Sequence, residues 1–219
     1  MLLSIAKSLM YISTFSVVVP LLLIWIRRKW IKQRYFTLLH LLLLISFLAD
    51  AGSLIVIKAH IHNSTAYLLN VQDIFQFVLL LLIYRELYLK GSKIIVVVTA
   101  ISYFGFEVAN SLFIQKLSEH QTWTWSLNGF LFICISSGYA LHLLKKLPTS
   151  NILRFAPGWI NAAFMSYFSF SLYLFIMSEY VFTNASTNLS IIFWSFHNLN
   201  NILKNCLLTI GVYFGNSKD

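Results

Sequence analysis

Seven blocks of about twenty apolar residues, separated by short polar loops, constrain this chain more than any other feature. A run of that length, wound as a helix, matches the thickness of a hydrocarbon layer. The blocks are approximately Ser8–Ile26, Tyr35–Ile57, Tyr67–Leu89, Ile94–Ile114, Thr124–Leu144, Gly158–Tyr180 and Ser190–Phe214. The pattern predicts an all-α, polytopic membrane protein: one seven-helix bundle over residues 1–219, forming a single domain. Composition agrees. Only 11% of the 219 residues are charged and 58% are hydrophobic, against about 25% charged in ordinary soluble domains. So few charges would not cover a water-soluble globule of this size.

Orientation follows from Lys and Arg beside the spans. The first, third and fifth loops carry eleven: Arg27, Arg28, Lys29, Lys32 and Arg34; Arg85, Lys90 and Lys93; and Lys145, Lys146 and Arg154. The opposite side carries three, Lys7, Lys58 and Lys116. This places the odd loops and the C-terminus in the cytoplasm and the N-terminus outside. The net charge of +9 is then a topological signal, and nucleic acid is not expected as a partner. Tryptophans fall near the span ends, with Trp25, Trp30 and Trp159 at the basic side and Trp123, Trp125 and Trp194 at the other. They read as an interfacial aromatic belt. The first block has no small-residue cleavage site and is followed by basic residues, so it reads as a retained span.

Against this apolar background the stretch FHNLNNILKN, residues 196–205, stands out. Polar groups are costly in hydrocarbon and must be satisfied there. At about 100° per residue, His197, Asn198, Asn200, Asn201, Lys204 and Asn205 share an arc of roughly 160°. In the third span, Asn70, Gln72, Asp73 and Gln76 share an arc of similar width. Asp50 lies in the second span, Glu107 in the fourth and Asn128 in the fifth. Counted at about 1.5 Å per residue, Asp50, Asp73, Glu107 and His197 all lie roughly 9–11 Å below the outer surface. Lys204 falls deeper, roughly 21 Å down. It either faces a pocket as a counter-ion or snorkels toward the cytoplasm.

The expected ligand-binding set is therefore Asp50, Asp73, Gln76, Glu107, Asn128, His197, Asn200, Asn201 and Lys204. For the amides, interhelical hydrogen bonding is the competing role. Ala49, Ala51, Gly52 and Ser53 would let the second span pack closely. Cys134 and Cys206 read as small apolar packing residues rather than a disulfide or metal pair. At the HIH of the second loop, His60 and His62, a metal site is the minor reading. No metal and no cofactor is expected.

The basic first loop, the polar third span and the H-N-x-x-N-I-L-K-N run of the last span (His197, Asn198, Asn201, Ile202, Leu203, Lys204 and Asn205) together resemble a family of small heptahelical integral membrane proteins of Bacteroidetes-type bacteria. The resemblance covers nearly the whole chain. The family brings no established activity. It implies a membrane sensor component working with a separate histidine kinase.

Three functions compete. The first is a sensor, signalling or ligand-binding module with a polar pocket in the outer half. It would take a small molecule or lipid and pass helix movement to a histidine kinase or other signalling protein at the cytoplasmic loops, which are too short for a catalytic domain. The second is an intramembrane lipid hydrolase with Asp50 and Asp73 as an acid/base pair. SFLADAGSL is faintly similar to the buried-Asp span of lysoplasmalogenase-type proteins, with Ala49 in place of their Gly. The third is a small transporter or a retinal-type photoreceptor. A Lys in the seventh span and an Asp in the third resemble a Schiff-base Lys and its counter-ion, but the arginine and aromatic cage of the microbial rhodopsins is missing. Non-enzymatic binding is the favoured reading.

Overall fold

A computed structural model describes residues 2–59, 64–146 and 152–215. It contains α1 (Leu2–Ser16), α2 (Val18–Arg27), α3 (Arg34–Lys58), α4 (Ser64–Leu87), α5 (Lys93–Phe113), α6 (Thr122–Lys146), α7 (Ala156–Asn184) and α8 (Thr187–Phe214). Short 3-10 turns, Leu89–Gly91 and Ile152–Arg154, precede α5 and α7. His60 and His62 lie outside the described residues. Both cysteines are free and exposed.

The first apolar block is one rod with an interruption. Pro20 has no N–H to give the carbonyl of Ser16, and its ring crowds that carbonyl, so the α-helical ladder breaks between α1 and α2. The side chain of Ser16 compensates locally by donating to the Ser13 carbonyl at 2.7 Å. Counting α1 and α2 together, the described residues form seven rods.

Six of the rods are long and apolar enough to cross a membrane: Leu2–Arg27, Arg34–Lys58, Thr65–Leu87, Lys93–Phe113, Thr122–Lys146 and Ala156–Val181. The protein is a multi-pass membrane protein by these criteria. The 28-residue α8 reaches about 42 Å at 1.5 Å per residue, ample for a bilayer core of about 30 Å. Its polar run keeps it out of the apolar set.

The packing order is a closed ring. α8 sits between α1–α2 and α7, α7 packs on α6, α6 touches α4, α4 packs on α3, and α3 returns to α2. α5 stands outside this ring and leans mainly on α6. One half of the bundle has an apolar core: Phe36, Leu39, Leu43, Leu80, Ile83, Tyr84, Phe132, Ile160, Phe168 and Leu208 are almost wholly buried there. Tyr84 takes its hydroxyl into this core by donating to Asn161 at 2.9 Å, and Asn161 in turn donates to the Ser136 carbonyl at 3.2 Å. The contact between α7 and α8 is close at Gly211. A Cβ there would lie 3.2 Å from Ile160 and 3.4 Å from the Ala156 carbonyl.

The asparagines of α8 join it to its neighbours. Asn200 donates to the Tyr167 carbonyl at 2.9 Å and to Ser171 at 2.8 Å, both on α7. Asn201 donates to Ser13 at 2.9 Å and Asn205 to Ser16 at 2.7 Å, both on α1. Two ends are also fixed. Ser186 caps the start of α8 by accepting from the Leu189 N–H at 3.4 Å. Arg27 donates to the carbonyls of Val212 (3.2 Å) and Tyr213 at its far end, where a cation also suits the helix dipole.

Interhelical hydrogen bonds in membranes contribute about 0.6 kcal/mol on average and at most about 1.7. Asn200 makes two of them, so Asn200→Ala is expected to destabilise by about 1–2 kcal/mol. Asn205→Ala, with one, should cost about half as much. Thermal unfolding of the detergent-solubilised chain measures both; equal melting of Asn200→Ala and wild type would contradict the assigned role.

Candidate functional site

Above the apolar core, a cavity of about 110 Å³ opens between α3, α4, α6, α7 and α8. Most of its lining lies toward the end of the bundle that holds residue 2, while Tyr167 and Lys204 reach past the middle of α7 and α8. Asp50, for example, is eight residues from the last residue of α3, about 12 Å. Its polar wall is Ser46, Asp50, Gln72, Asp73 and Gln76 on one side and His197, Asn201 and Lys204 on the other. Trp125, Tyr167, Phe175 and Trp194 supply aromatic walls. A void of about 10 Å³ beside Lys204, lined by Leu42, Leu43, Phe164, Tyr167 and Leu208, continues it toward the core. There the cavity ends.

Asp73 is held rigidly. Tyr103 of α5 donates its hydroxyl to one carboxylate oxygen at 2.8 Å, and Asn128 of α6 donates its amide to the other at 2.5 Å. Tyr103 is itself clamped by stacking on Phe77, with ring centroids 3.8 Å apart and planes 9° from parallel. Three helices therefore agree on one carboxylate position.

Asp50 is different. It accepts no hydrogen bond from a described residue, and no ion pair within 4.0 Å joins it to Lys204, although the two attract across the cavity. Lys204 faces the cavity rather than the far end of the bundle. Its ammonium lies over the Tyr167 ring, 4.5 Å from the centroid, a cation–π contact. The imidazole of His197 is ringed by Trp194 (5.5 Å), Tyr167 (6.2 Å) and Phe175 (6.3 Å), and its buried Nδ1 has no hydrogen-bond partner among the described residues.

Of the nine residues expected from the sequence, Asp50, Asp73, Gln76, His197, Asn201 and Lys204 line this cavity. Asn128 reaches it through Asp73. Asn200 faces α7. Glu107 shares the depth of the others but not their direction: α5 is peripheral, and its inward face meets α6 and the loop before it. Glu107 is buried there beside Ser111 and Thr124. Oriented to satisfy both neighbours, the Gln121 amide donates to Glu107 at 2.7 Å and accepts from Ser111 at 2.7 Å. Asn70 ties down the same loop, donating to the carbonyls of Leu117 (3.0 Å) and Glu119 (2.9 Å). Asn70 and Glu107 thus belong to a polar network that anchors the α5–α6 connection.

The sequence reading missed the aromatic walls. Trp125 and Trp194, expected in an interfacial belt, line the cavity instead, and Trp125 is 7% exposed. Their helical faces point into the bundle, and proximity to a span end carries no information about direction. Tyr103 and Tyr167 had no distinguishing signal among eleven tyrosines. Among the described residues no group of three or more His, Cys, Asp or Glu is placed to hold a metal ion.

The contrast between the two aspartates is measurable. Asp73→Asn leaves one acceptor for two fixed donors, so it is expected to destabilise by about 1–3 kcal/mol. Asp50→Asn loses no protein hydrogen bond and should stay within about 1 kcal/mol of wild type. Thermal melts at neutral pH rank them, and the reverse order would contradict this geometry.

No family model, no curated protein and no solved structure matches the chain. The comparisons identify no family. The described residues show an architecture of seven rods, six of them apolar enough to span a membrane.

Proposed function

We propose that the protein is a membrane-embedded ligand-binding module of the sensor type, and that its ligand is compact and carries both charges. The observation that carries this reading is the pairing of Asp50 and Lys204. They line one cavity and attract across it, yet neither makes an ion pair with a described residue. Opposite charges held apart in a low-dielectric site suit a guest that bridges them, because an unpaired buried charge is costly. A cationic group would sit toward Asp50 and Asp73, beside the aromatic faces of Trp125 and Trp194. An anionic group would sit toward Lys204, and the unpartnered His197 Nδ1 offers one further polar contact.

The size of the cavity supports a small guest. About 110 Å³ is below the roughly 300–1,000 Å³ of drug-sized sites and corresponds to about four waters at ~30 Å³ each. A glycerolipid and a retinal polyene are both too large for it without rearrangement. That weighs against the lipid-hydrolase and photoreceptor alternatives, although the presence of Asp50 and Asp73 in one cavity is what a carboxylate-pair hydrolase would use. The apolar core that ends the cavity supports a receptor over an open transport path.

With α8 counted as a seventh crossing and the basic loops in the cytoplasm, the cavity would lie in the outer half of an inner-membrane protein. Ligand-driven movement of α8 against α1 and α7 would then reach the basic loops. A separate signalling protein, such as a histidine kinase, would have to read it there.

The test uses a panel of free amino acids and betaines on the purified full-length chain. Trp125 and Trp194 report occupancy through intrinsic fluorescence. A binding member should lose at least about tenfold affinity in Asp50→Asn and in Lys204→Gln, since each removes one charge-assisted contact. Equal affinity for wild type and the Asp50→Asn/Lys204→Gln double variant would sink the reading.

A further inference from the structure

A larger void lies elsewhere among the described residues. Between α4 and α5, at the end of the bundle that carries the basic loops, lies a groove of about 360 Å³. α5 touches α4 through the stacked Phe77 and Tyr103 and the edge contact of Phe77 with Phe104 (5.8 Å). From there toward Lys93 the space between the two helices is open. Its walls are Phe77, Val78, Leu81 and Leu82 on α4 and Val96, Val97, Ala100 and Phe104 on α5. The outward side of α5 is equally apolar: Ile94, Val98 and Ile101 are more than half exposed. Apolar walls facing outward from a membrane-spanning helix meet lipid.

The groove has a charged mouth. Arg85, Lys90 and Lys93 line it at that end. Lys90 is paired with Glu86 at 3.0 Å, and Glu86 also meets Arg34 at 3.7 Å. Arg85 and Lys93 make no ion pair with a described residue. The first turn of α5 has no side-chain cap, so its N–H groups add partial positive charge. Glu86 is the one carboxylate in these pairs. The mouth keeps a clear excess of positive charge.

Length selects the occupant. From Lys93 to Phe104 is eleven residues, about 17 Å along the helix. That is close to half of a ~30 Å hydrocarbon core, the depth of one leaflet. We propose that this groove is a binding site for one anionic phospholipid, with an acyl chain between α4 and α5 and the phosphate on Arg85 and Lys93. A basic mouth above an apolar slot one leaflet deep fits such a lipid at both ends. A soluble anion would use the mouth alone, and a zwitterionic lipid would gain little from it.

The full-length chain in mild detergent is titrated with phosphatidylglycerol or phosphatidylcholine of identical acyl chains, and bound lipid is read by native mass spectrometry. Wild type should retain phosphatidylglycerol in preference to phosphatidylcholine. Arg85→Gln/Lys93→Gln should weaken phosphatidylglycerol binding about tenfold or more. Val97→Trp leaves every charge in place and fills the slot; it should displace the lipid as well. Val97→Phe supplies a smaller block if the Trp variant melts early. Equal retention of both lipids by wild type overturns the proposal. So does unchanged phosphatidylglycerol binding in the Val97 variants, which would reduce the effect to surface charge.

Discussion

Hydrocarbon offers a polar side chain no partner, so each one placed in a spanning helix must find its partner in the protein or in enclosed water. The last helix carries six such residues between positions 196 and 205, and the bundle is organised around satisfying them. Asn201 and Asn205 hold α1, and Asn200 holds α7. These bonds close the ring, because α8 is the element that bridges the first rod to the sixth. His197 and Lys204, on the same helix, face the cavity instead, with no hydrogen-bonded partner among the described residues. The division of labour within one helix follows from geometry. Residues flanking the polar arc reach neighbouring helices, and the middle of the arc looks into the space between them.

The two ends of the bundle are built on different principles. One is filled with large apolar side chains and buries Tyr84 only by giving its hydroxyl to Asn161. The other is wet in character, with a fixed carboxylate, a free carboxylate and an ammonium around one cavity. Rigid scaffolding beside an unsatisfied group is the arrangement expected of a binding site, since preorganisation lowers the cost of taking up a ligand. The peripheral α5 serves both ends. Through Tyr103 it locks Asp73, and where it stands away from α4 it leaves the apolar groove.

Much of this was legible in the chain itself. Block length and loop composition predict the rods to within a few residues, with Thr124–Leu144 expected and Thr122–Lys146 observed. The exception is the first block, which begins earlier and breaks near Pro20. Equal depth grouped Asp50, Asp73 and His197, and these three line one cavity, because rise per residue is a property of the helix alone. Equal depth did not separate Glu107 from them. Rotation of a helix about its axis is set by what it packs against, and α5 packs on α6 and the loop at residues 114–121. The same gap hid the aromatic walls.

The sequence by itself determined that this chain spans a membrane several times, where each helix runs and how far along its helix each polar residue sits. Those are consequences of hydropathy, length and helical rise, all of which act locally. Tertiary structure alone decided which polar residues are structural and which are available. Asn200 and Asn201 are adjacent and of the same type, yet one is consumed between α8 and α7 and the other donates to α1 at the edge of the cavity. Only the positions of α1 and α7 make that difference, and that of α1 depends on contacts between residues more than 180 positions apart in the chain.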